Sequence, residues 1–181
     1  MSKKTIEIMD TTLRDGEQTS GMSFSSTEKL TITKLLLEEL NIDRIEVASA
    51  RVSKGEFQAV QNITDWAKKN GYLGKIEILT FLDNGISLKW LIKSGAKVQN
   101  LLTKGSLNHL TYQIKKSPEE YFKKVSESIL NAQKEGIITN VYLEDWSNGI
   151  LENEKYVLDL TNVLNELNVK RIMLPDTLGI F

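Results

Sequence analysis

The chain reads DTTLRDGEQT at residues 10–19, directly after the apolar run IEIM at residues 6–9. Three carboxylates, one guanidinium and one amide therefore stand where a predicted strand becomes a loop. A solvated surface turn is the simplest explanation of such charges. However, an arginine next to an aspartate at the mouth of a buried strand suits a divalent cation held by carboxylate oxygen, with the arginine beside it to bind an anionic substrate. The stretch therefore predicts a metal-assisted active site.

Short apolar, β-branched runs alternate with longer amphipathic runs along the rest of the chain, which is the pattern of βαβ units in a parallel sheet. The predicted strands are 5–9, 44–48, 75–81, 98–102, 139–143 and 171–174. The predicted helices are 26–40, 56–70, 87–93, 118–135 and 152–166. Two of these helices begin with a capping box, formed by Ser25 with Glu28 and by Ser117 with Glu120. No linker or low-complexity segment interrupts the series, which predicts one domain over residues 1–181.

The series contains about six β/α units, whereas a (β/α)8 barrel has eight and about 250 residues. An open doubly wound sheet is the alternative, and periodicity alone does not separate the two. No Gly-x-Gly-x-x-Gly motif follows the first strand, and a carboxylate-rich loop at that place is poor for binding pyrophosphate. We therefore predict an α/β fold, a TIM (β/α)8 barrel truncated after about the sixth strand.

Charge and composition exclude several classes of protein. The 23 basic and 24 acidic residues are almost balanced, which argues against a nucleic-acid partner. No apolar run is long enough to span a bilayer, and the first residues do not resemble a signal peptide. Cysteine is absent, so disulfides and thiol chemistry are excluded. These features predict a cytoplasmic enzyme that binds neither nucleic acid nor membrane.

Residues 10–19 resemble the signature of the acyl-CoA-dependent carboxylate synthases and related lyases, a family that includes 2-isopropylmalate synthase, homocitrate synthase, citramalate synthase and hydroxymethylglutaryl-CoA lyase. The family's catalytic domain is a (β/α)8 barrel with an Arg-Asp or Arg-Glu pair at the end of the first strand. The resemblance implies an acyltransferase of amino-acid biosynthesis, such as that of leucine. Such an enzyme condenses acetyl-CoA with a 2-oxo acid to a 2-hydroxy dicarboxylate.

The resemblance also implies roles for three residues of this motif. Arg14 matches the catalytic arginine, which would neutralise the charge that develops on the enolate or ketoacid oxygen. Asp15 matches a ligand of the divalent metal ion (Mg, Mn or Zn) that chelates the 2-oxo acid. Gln18 is similar to an amide that lines the same pocket and binds substrate. An ion pair on an exposed loop is the alternative for Arg14 and Asp15.

Three further residues match family positions at the ends of later strands, where barrels carry their functional groups. His109, the single histidine, lies in a Ser-x-x-His segment and would contact the ketoacid, although a packed or exposed histidine is the alternative. Glu144 matches an acidic residue for acid–base work, but Tyr142 stands where many synthases carry serine. Thr177 matches a substrate-contacting threonine, and a turn closing the strand is the alternative.

The family completes its metal site with a His-x-His pair on the seventh strand, and this sequence has no second histidine. Because metal sites normally use three or more protein ligands, we expect the 181-residue chain to be inactive by itself. The edges of the first and sixth strands are expected to be open and to cause dimerisation, and we predict a homodimer.

Two other functions stay open. The stretch IEVAS at residues 45–49 is also compatible with a hydroxymethylglutaryl-CoA lyase, which cleaves its substrate by a retro-aldol reaction. A truncated, non-catalytic paralogue with a binding or regulatory role is the third possibility.

Overall fold

A computed structural model describes residues 6–181 and contains one six-stranded sheet. Its strands are β1 (Met9–Asp10), β2 (Arg44–Ser49), β3 (Ile76–Phe81), β4 (Val98–Lys104), β5 (Ile138–Glu144) and β6 (Arg171–Met173). The strands lie in the sheet in the order in which they follow one another in the chain. A doubly wound sheet reverses its strand order, whereas a (β/α)8 barrel keeps chain order. The predicted fold class, a (β/α)8 barrel represented by its first six strands, is confirmed.

Seven α-helices connect the strands in the described part of the chain. They are α1 (Ser26–Lys34), α2 (Lys54–Lys69), α3 (Ile86–Lys93), α4 (Leu107–His109), α5 (Pro118–Lys134), α6 (Trp146–Glu152) and α7 (Glu154–Glu166). Helices α1 and α4 each continue into a five-residue π-helical turn, Leu35–Glu39 and Leu110–Ile114. Both predicted capping boxes are present, at Ser25 and at Ser117. None of the described helices has the length and apolarity needed to cross a membrane.

The predicted element bounds need three corrections. The first strand is only Met9–Asp10, since these are the two residues that pair with β2, and the predicted position 5 lies outside the described residues. Helix α4 and its π-helical turn were not predicted. The predicted helix 152–166 is α7, which begins at Glu154 after Asn153, whose side chain accepts a hydrogen bond from the Tyr156 N–H at 3.0 Å; helix α6, which ends just before it at Glu152, was not predicted.

The structure divides into two compact units. The first consists of the residues up to Leu79 together with Lys89–Val98, and the second consists of Thr80–Leu88 and Gln99–Phe181. In the second unit α5 and α7 cover the outward faces of β4 and β5, with a core that includes Leu101, Leu143, Val125, Ile129 and Leu160. In the first unit α1 packs on α2. The single domain expected from the sequence stays a prediction.

Candidate active-site residues at the strand ends

The loop after β1 is a tight turn that the sequence itself dictates. The Asp10 carboxylate accepts hydrogen bonds from the Thr12 N–H at 2.9 Å and from the Thr12 hydroxyl at 3.0 Å, the kind of local bond that makes aspartate favourable in turns. The Arg14 N–H donates to the Thr11 carbonyl at 3.0 Å. Leu13 is fully buried and anchors the turn in the core. These contacts fix the backbone that carries Arg14.

Arg14 divides its guanidinium between two carboxylates. Its Nη1 lies 2.6 Å from Oδ1 of Asp15, and its Nε donates to Oε2 of Glu46 on β2. The Glu46 side chain is completely buried, the Asp15 side chain is 60% exposed, and Arg14 is 15% exposed. Arg14 therefore does not belong only to an ion pair on an exposed loop, because its second partner, Glu46, is a buried carboxylate.

Glu46 is a site residue that the sequence analysis gave no role. Its signal was present, since a glutamate in the middle of a buried strand is rarely found without a partner. The pairing register of β2 and β3 shifts between Glu46 and Ala48, which indicates a bulge beside this carboxylate. Bulges are frequent next to active sites, where they redirect side chains.

A cavity of about 650 Å³ lies beside Arg14 in the first unit. Gln18 lines this cavity from the short 3-10 turn Gly16–Gln18, and its role in binding substrate stays a prediction. The hydroxyl groups of Ser49 and Ser53 belong to the same lining. The structure therefore brings Arg14 and Gln18 to one cavity, whose size is in the range of small-molecule sites.

A buried ion cluster supports the same loop. The Lys29 side chain on α1 is 1% exposed, and its Nζ lies 2.6 Å from Oε2 of Glu17 and 2.7 Å from both carboxylate oxygens of Glu56. Burial raises the pKa of the Glu56 carboxyl, the Lys29 hydrogen bond and charge act to lower it, and the Glu17 charge adds to the rise. The cluster ties the loop after β1 to α1 and α2.

In the second unit, Lys104 at the end of β4 forms an ion pair with Oε2 of Glu144 at the end of β5. Both side chains remain partly exposed. The predicted acid–base residue thus has its carboxylate held by an ammonium group. The sequence predicted Glu144 at a strand end but gave Lys104 no part in the site.

Asp145, directly after Glu144, contacts several polar side chains of the second unit. Its backbone is left-handed with φ of 63°, and its carboxylate accepts hydrogen bonds at 2.7 Å from the Ser106 hydroxyl and the Asn148 amide. His109 Nε2 lies 3.4 Å from Oδ2 of the same carboxylate. The His109 Nδ1 is buried and has no hydrogen-bond partner among the described residues. The sequence analysis missed Asp145, because no local pattern indicates partners so distant in the chain.

Thr177 also meets Asp145, since its hydroxyl oxygen accepts a hydrogen bond from the Asp145 N–H at 3.0 Å. The neighbouring Asp176 accepts from the Ser147 hydroxyl at 2.6 Å and from the Phe181 N–H at 3.0 Å. These bonds, that from Ser147 first, lower the pKa of the Asp176 carboxyl. The segment after β6 is thus a hydrogen-bonded turn, as its alternative interpretation expected, and it places Thr177 beside Asp145.

Two glycines allow the backbone of this region to pack closely. A Cβ atom at Gly105 would lie 2.6 Å from the Leu143 carbonyl oxygen, and one at Gly149 would lie 2.0 Å from the Gly105 carbonyl oxygen. The Gly105 N–H donates to the Glu144 carbonyl at 2.6 Å. Helix α6 therefore rests directly on the loop after β4 because Gly149 has no side chain, and that loop lies close to the end of β5 because Gly105 has none.

The metal-ligand role of Asp15 is not matched by a complete ligand set. Within residues 6–181, no group of three His, Cys, Asp or Glu side chains converges to hold a metal ion. Asp15 itself already has Oδ1 in contact with Arg14. The described residues therefore do not fit a closed metal site by themselves, and the ligand role of Asp15 stays a prediction.

Comparison with known proteins shows the family of the chain. A family model described as HMGL-like matches residues 5–181. The (R)-citramalate synthase CimA of Methanocaldococcus jannaschii is 30% identical over 176 residues, covering 97% of this chain and 34% of that protein. The 2-isopropylmalate synthase of Lysinibacillus sphaericus is 30% identical over 176 residues, covering 96% of this chain and 33% of that protein. The chain thus spans about a third of the length of these relatives.

Among solved structures, the HMG-CoA lyase of Bacillus subtilis superposes with a TM-score of 0.76 at 21% identity. The match covers 98% of this chain and 60% of that structure. At this identity the likeness concerns the fold alone, and it agrees with the (β/α)8 assignment made from the strand order.

Proposed function

Because the chain belongs to the HMGL-like family, we propose that the protein is a metal-dependent acyltransferase that condenses acetyl-CoA with a 2-oxo acid. The names of the similar synthases support a synthase over a lyase. The observation that carries the proposal is Arg14, which is held by Glu46 and Asp15 at the end of β1 beside a cavity large enough for a small substrate. Acetyl-CoA and the 2-oxo acid would be its small-molecule partners.

In the proposed reaction, acetyl-CoA loses a proton from its methyl carbon, and the resulting enolate carbon attacks the carbonyl carbon of the 2-oxo acid. Water then cleaves the thioester, which releases free CoA and a 2-hydroxy dicarboxylate. Negative charge develops on oxygen in these steps. A guanidinium aimed at that oxygen stabilises the transition state more than the ground state, which is the condition for catalysis.

The two ion pairs of Arg14 have different parts in this proposal. Glu46 is buried and fixes the plane of the guanidinium through Nε. Asp15 is largely exposed, so it can exchange its place at Nη1 for a substrate carboxylate or enolate oxygen. Asp15 would also supply one oxygen ligand to a divalent ion such as Mg, Mn or Zn. When bound, such an ion would polarise the carbonyl of the 2-oxo acid, and the described residues do not complete its site by themselves.

In the second unit, we assign substrate contact to His109 and Thr177 and acid–base work to Glu144. The support is positional, because all three lie at or just after the carboxyl ends of their strands. Asp145 contacts His109 and Thr177, and Lys104 holds the Glu144 carboxylate. The proposal extends to a cytoplasmic homodimer that serves amino-acid biosynthesis, such as that of leucine.

The test is an acetyl-CoA-dependent thiol-release assay on the whole protein, with magnesium, manganese or zinc and a panel of 2-oxo acids. We expect thiol release with one ketoacid, and a loss of about a hundredfold or more in kcat/KM for Arg14→Gln. Lys155→Gln is the control, because Lys155 is exposed and forms an ion pair with Asp159 on the same helix. Equal activity of wild type and Arg14→Gln would contradict the role of Arg14.

The same assay decides between the other two functions. Cleavage of 3-hydroxy-3-methylglutaryl-CoA to acetyl-CoA, without ketoacid-dependent thiol release, would identify the lyase that the stretch 45–49 leaves open. Silence of the whole protein in both reactions would favour the non-catalytic paralogue.

A further inference from the structure

An ammonium–carboxylate pair joins the carboxyl ends of two neighbouring strands in the second unit. Lys104 is the last residue of β4, Glu144 is the last residue of β5, and the Lys104 Nζ donates a hydrogen bond to Oε2 of Glu144. The two side chains are only 17% and 28% exposed. Dissolved salt therefore screens this pair less than it screens a pair on the open surface.

Both members of the pair lie on the face of the sheet that α5 and α7 do not cover. The Asn140 amide donates to Oδ1 of Asn100 at 2.8 Å, so these two side chains share one face of β4 and β5. Because side chains alternate along a strand, Lys104 and Glu144, each four residues further on, lie on that same face. Leu101, next to Asn100, belongs instead to the core under the two helices. The pair therefore lies on the inner face, at the strand ends where (β/α)8 barrels carry their functional groups.

The backbone of Lys104 is held by two buried phenol groups. Its N–H donates to Oη of Tyr121 at 2.8 Å, and its carbonyl accepts from the Tyr156 hydroxyl at 2.8 Å. Burial raises the pKa of Tyr121 to about 12 and also raises the pKa of Tyr156, so both phenols keep their protons at neutral pH. The next residue, Gly105, donates its N–H to the Glu144 carbonyl at 2.6 Å. Helices α5 and α7 and strand β5 thus fix the position from which the Lys104 side chain reaches Glu144.

The pairing is exclusive within residues 6–181. In this part of the chain, neither side chain has a second ion pair or hydrogen bond. The neighbouring Asp145 carboxylate is occupied by the Ser106 hydroxyl and the Asn148 amide, so it does not compete for the ammonium. The second oxygen of Glu144, Oε1, is not a buried atom. Lys104 therefore occupies one oxygen of the carboxylate and leaves the other accessible.

We propose that Lys104 is a positioning residue, whose ammonium holds Oε2 of Glu144 so that Oε1 is directed at the proton that Glu144 transfers. A carboxylate that cannot rotate freely is oriented for proton transfer before the substrate arrives. This inference rests on the proposed function, because it takes Glu144 as the acid–base residue. An ion pair that only joins the ends of two strands is the alternative.

The test compares variants of the whole protein in whichever reaction the wild type catalyses, thiol release or cleavage of 3-hydroxy-3-methylglutaryl-CoA. We expect Lys104→Met to lower kcat by about tenfold or more and to leave each KM within about twofold. The reason is that a displaced acid–base group slows the chemical step but leaves substrate binding intact. Lys104→Arg keeps a cation beside Oε2 and should recover most of kcat.

A double-mutant cycle separates positioning from a structural role. Glu144→Gln should lower kcat by about a hundredfold or more, the usual range for a general acid or base. Adding Lys104→Met to Glu144→Gln should lower kcat no further, since the group that Lys104 positions is already gone. Independent roles would instead give a loss equal to the product of the two single losses.

Lys124→Met is the matched control. Lys124 is exposed on α5 and lines, together with Lys104, a cavity of about 240 Å³, but no ion pair within the described residues involves it. Its removal should leave kcat within about twofold of wild type. Urea unfolding checks the fold of every variant. We expect midpoints close to that of wild type, because Lys104 and Glu144 are both partly exposed and water solvates the member that remains.

The outcomes separate this inference from the proposed reaction. The role of Lys104 is overturned, and the acyltransferase is left in place, by an unchanged kcat in Lys104→Met, by a change in KM alone, by equal losses in Lys104→Met and Lys104→Arg, or by full additivity with Glu144→Gln. An unchanged kcat in Glu144→Gln overturns its acid–base role and that of Lys104 together. A wild type that only cleaves 3-hydroxy-3-methylglutaryl-CoA overturns the synthase, and the variants still decide on Lys104. Silence of the wild type in both reactions overturns the proposed function and this inference with it.

Discussion

Arg14 has one buried and one exposed carboxylate partner, and the buried one is the stronger determinant of its position. Glu46 is completely buried, so its charge depends on Arg14 for compensation. Asp15 is largely exposed and contributes little to stability, as is usual for surface ion pairs. A single residue, Glu46, is therefore expected to affect both the stability of the fold and the position of Arg14.

Glu46→Gln tests this dependence with a side chain of nearly the same volume. The variant leaves Arg14 without its buried anion, so we expect the free energy of unfolding to fall by about 3 kcal/mol. We also expect kcat/KM to fall, because the guanidinium is no longer fixed in plane. Urea unfolding measures the first effect and the thiol-release assay the second. Glu166→Gln, at an exposed position, is the control, and equal losses in both variants would contradict the argument.

Lys29 is the second residue whose removal should be costly. Lys29→Met leaves Glu17 and Glu56 next to each other without their shared cation, and we expect a loss of about 3–5 kcal/mol in the free energy of unfolding at neutral pH. Lys123→Met, an exposed lysine on α5, should change it by less than about 0.5 kcal/mol. Chemical unfolding of wild type, Lys29→Met and Lys123→Met measures the two changes, and equal losses in the two variants would contradict the prediction.

The same variant should change the pH dependence of stability. Burial raises the pKa of Glu56 in the folded state, so the stability that this group contributes is present below its unfolded pKa and is lost as the pH rises through its folded pKa. Lys29→Met removes the two influences that lower the pKa of Glu56. We therefore expect Lys29→Met to lose more stability than wild type as the pH rises above about 4.3, the ordinary pKa of a glutamate in an unfolded chain. Parallel pH profiles would show that Lys29 does not act on Glu56.

Local sequence correctly predicted those helices whose ends are determined by residues close to them in the chain. The capping boxes at Ser25 and Ser117 depend on residues three positions away, and the helices that they begin are present. Helix α6 was missed, because Gly149 weakens a helical pattern and the reason for it is the distant Gly105 carbonyl. In the same way, the buried Lys29 and Asp145 have partners far along the chain, which no local pattern reveals.

Gly149→Ala tests the contact that supports α6. The added Cβ atom would lie 2.0 Å from the Gly105 carbonyl oxygen, so the helix and the loop must separate. We expect the free energy of unfolding to fall by about 3 kcal/mol or more, above the helix-propensity gain of alanine. Gly74→Ala is the matched control, because nothing lies within 4 Å of its added Cβ atom. A thermal midpoint equal to that of Gly74→Ala would contradict the close packing.

For the whole molecule, the order of the strands could be predicted from the alternation of apolar and amphipathic runs, because each β/α unit is local in sequence. The division into two compact units could not, since it depends on which helices pack together. The candidate site residues at the strand ends were predicted from the resemblance to the family. Glu46 and Asp145 could be identified only from the folded structure. The inactivity of the 181-residue chain by itself stays a prediction.

Self-association of the 181-residue chain is a prediction at this scale. Ile6 and Ile8, which precede the edge strand β1, are 86% and 60% exposed, and apolar residues beside an unpaired edge favour pairing with another chain. We expect dimers or larger species in analytical ultracentrifugation, and fewer of them for the double variant Ile6→Lys and Ile8→Lys. Leu158→Lys, on the exposed face of α7, is the control. A monomeric wild-type chain would contradict the prediction.

The unequal exposure of the two partners of Arg14 has a consequence for ionic strength. Dissolved salt screens the exposed pair with Asp15 but reaches the buried pair with Glu46 much less. Rising salt should therefore lower the affinity of Arg14 for anions, while the orientation of its guanidinium group stays the same. In a saline medium we therefore expect Arg14 to bind anions more weakly, while Glu46 keeps the proposed catalytic guanidinium in place.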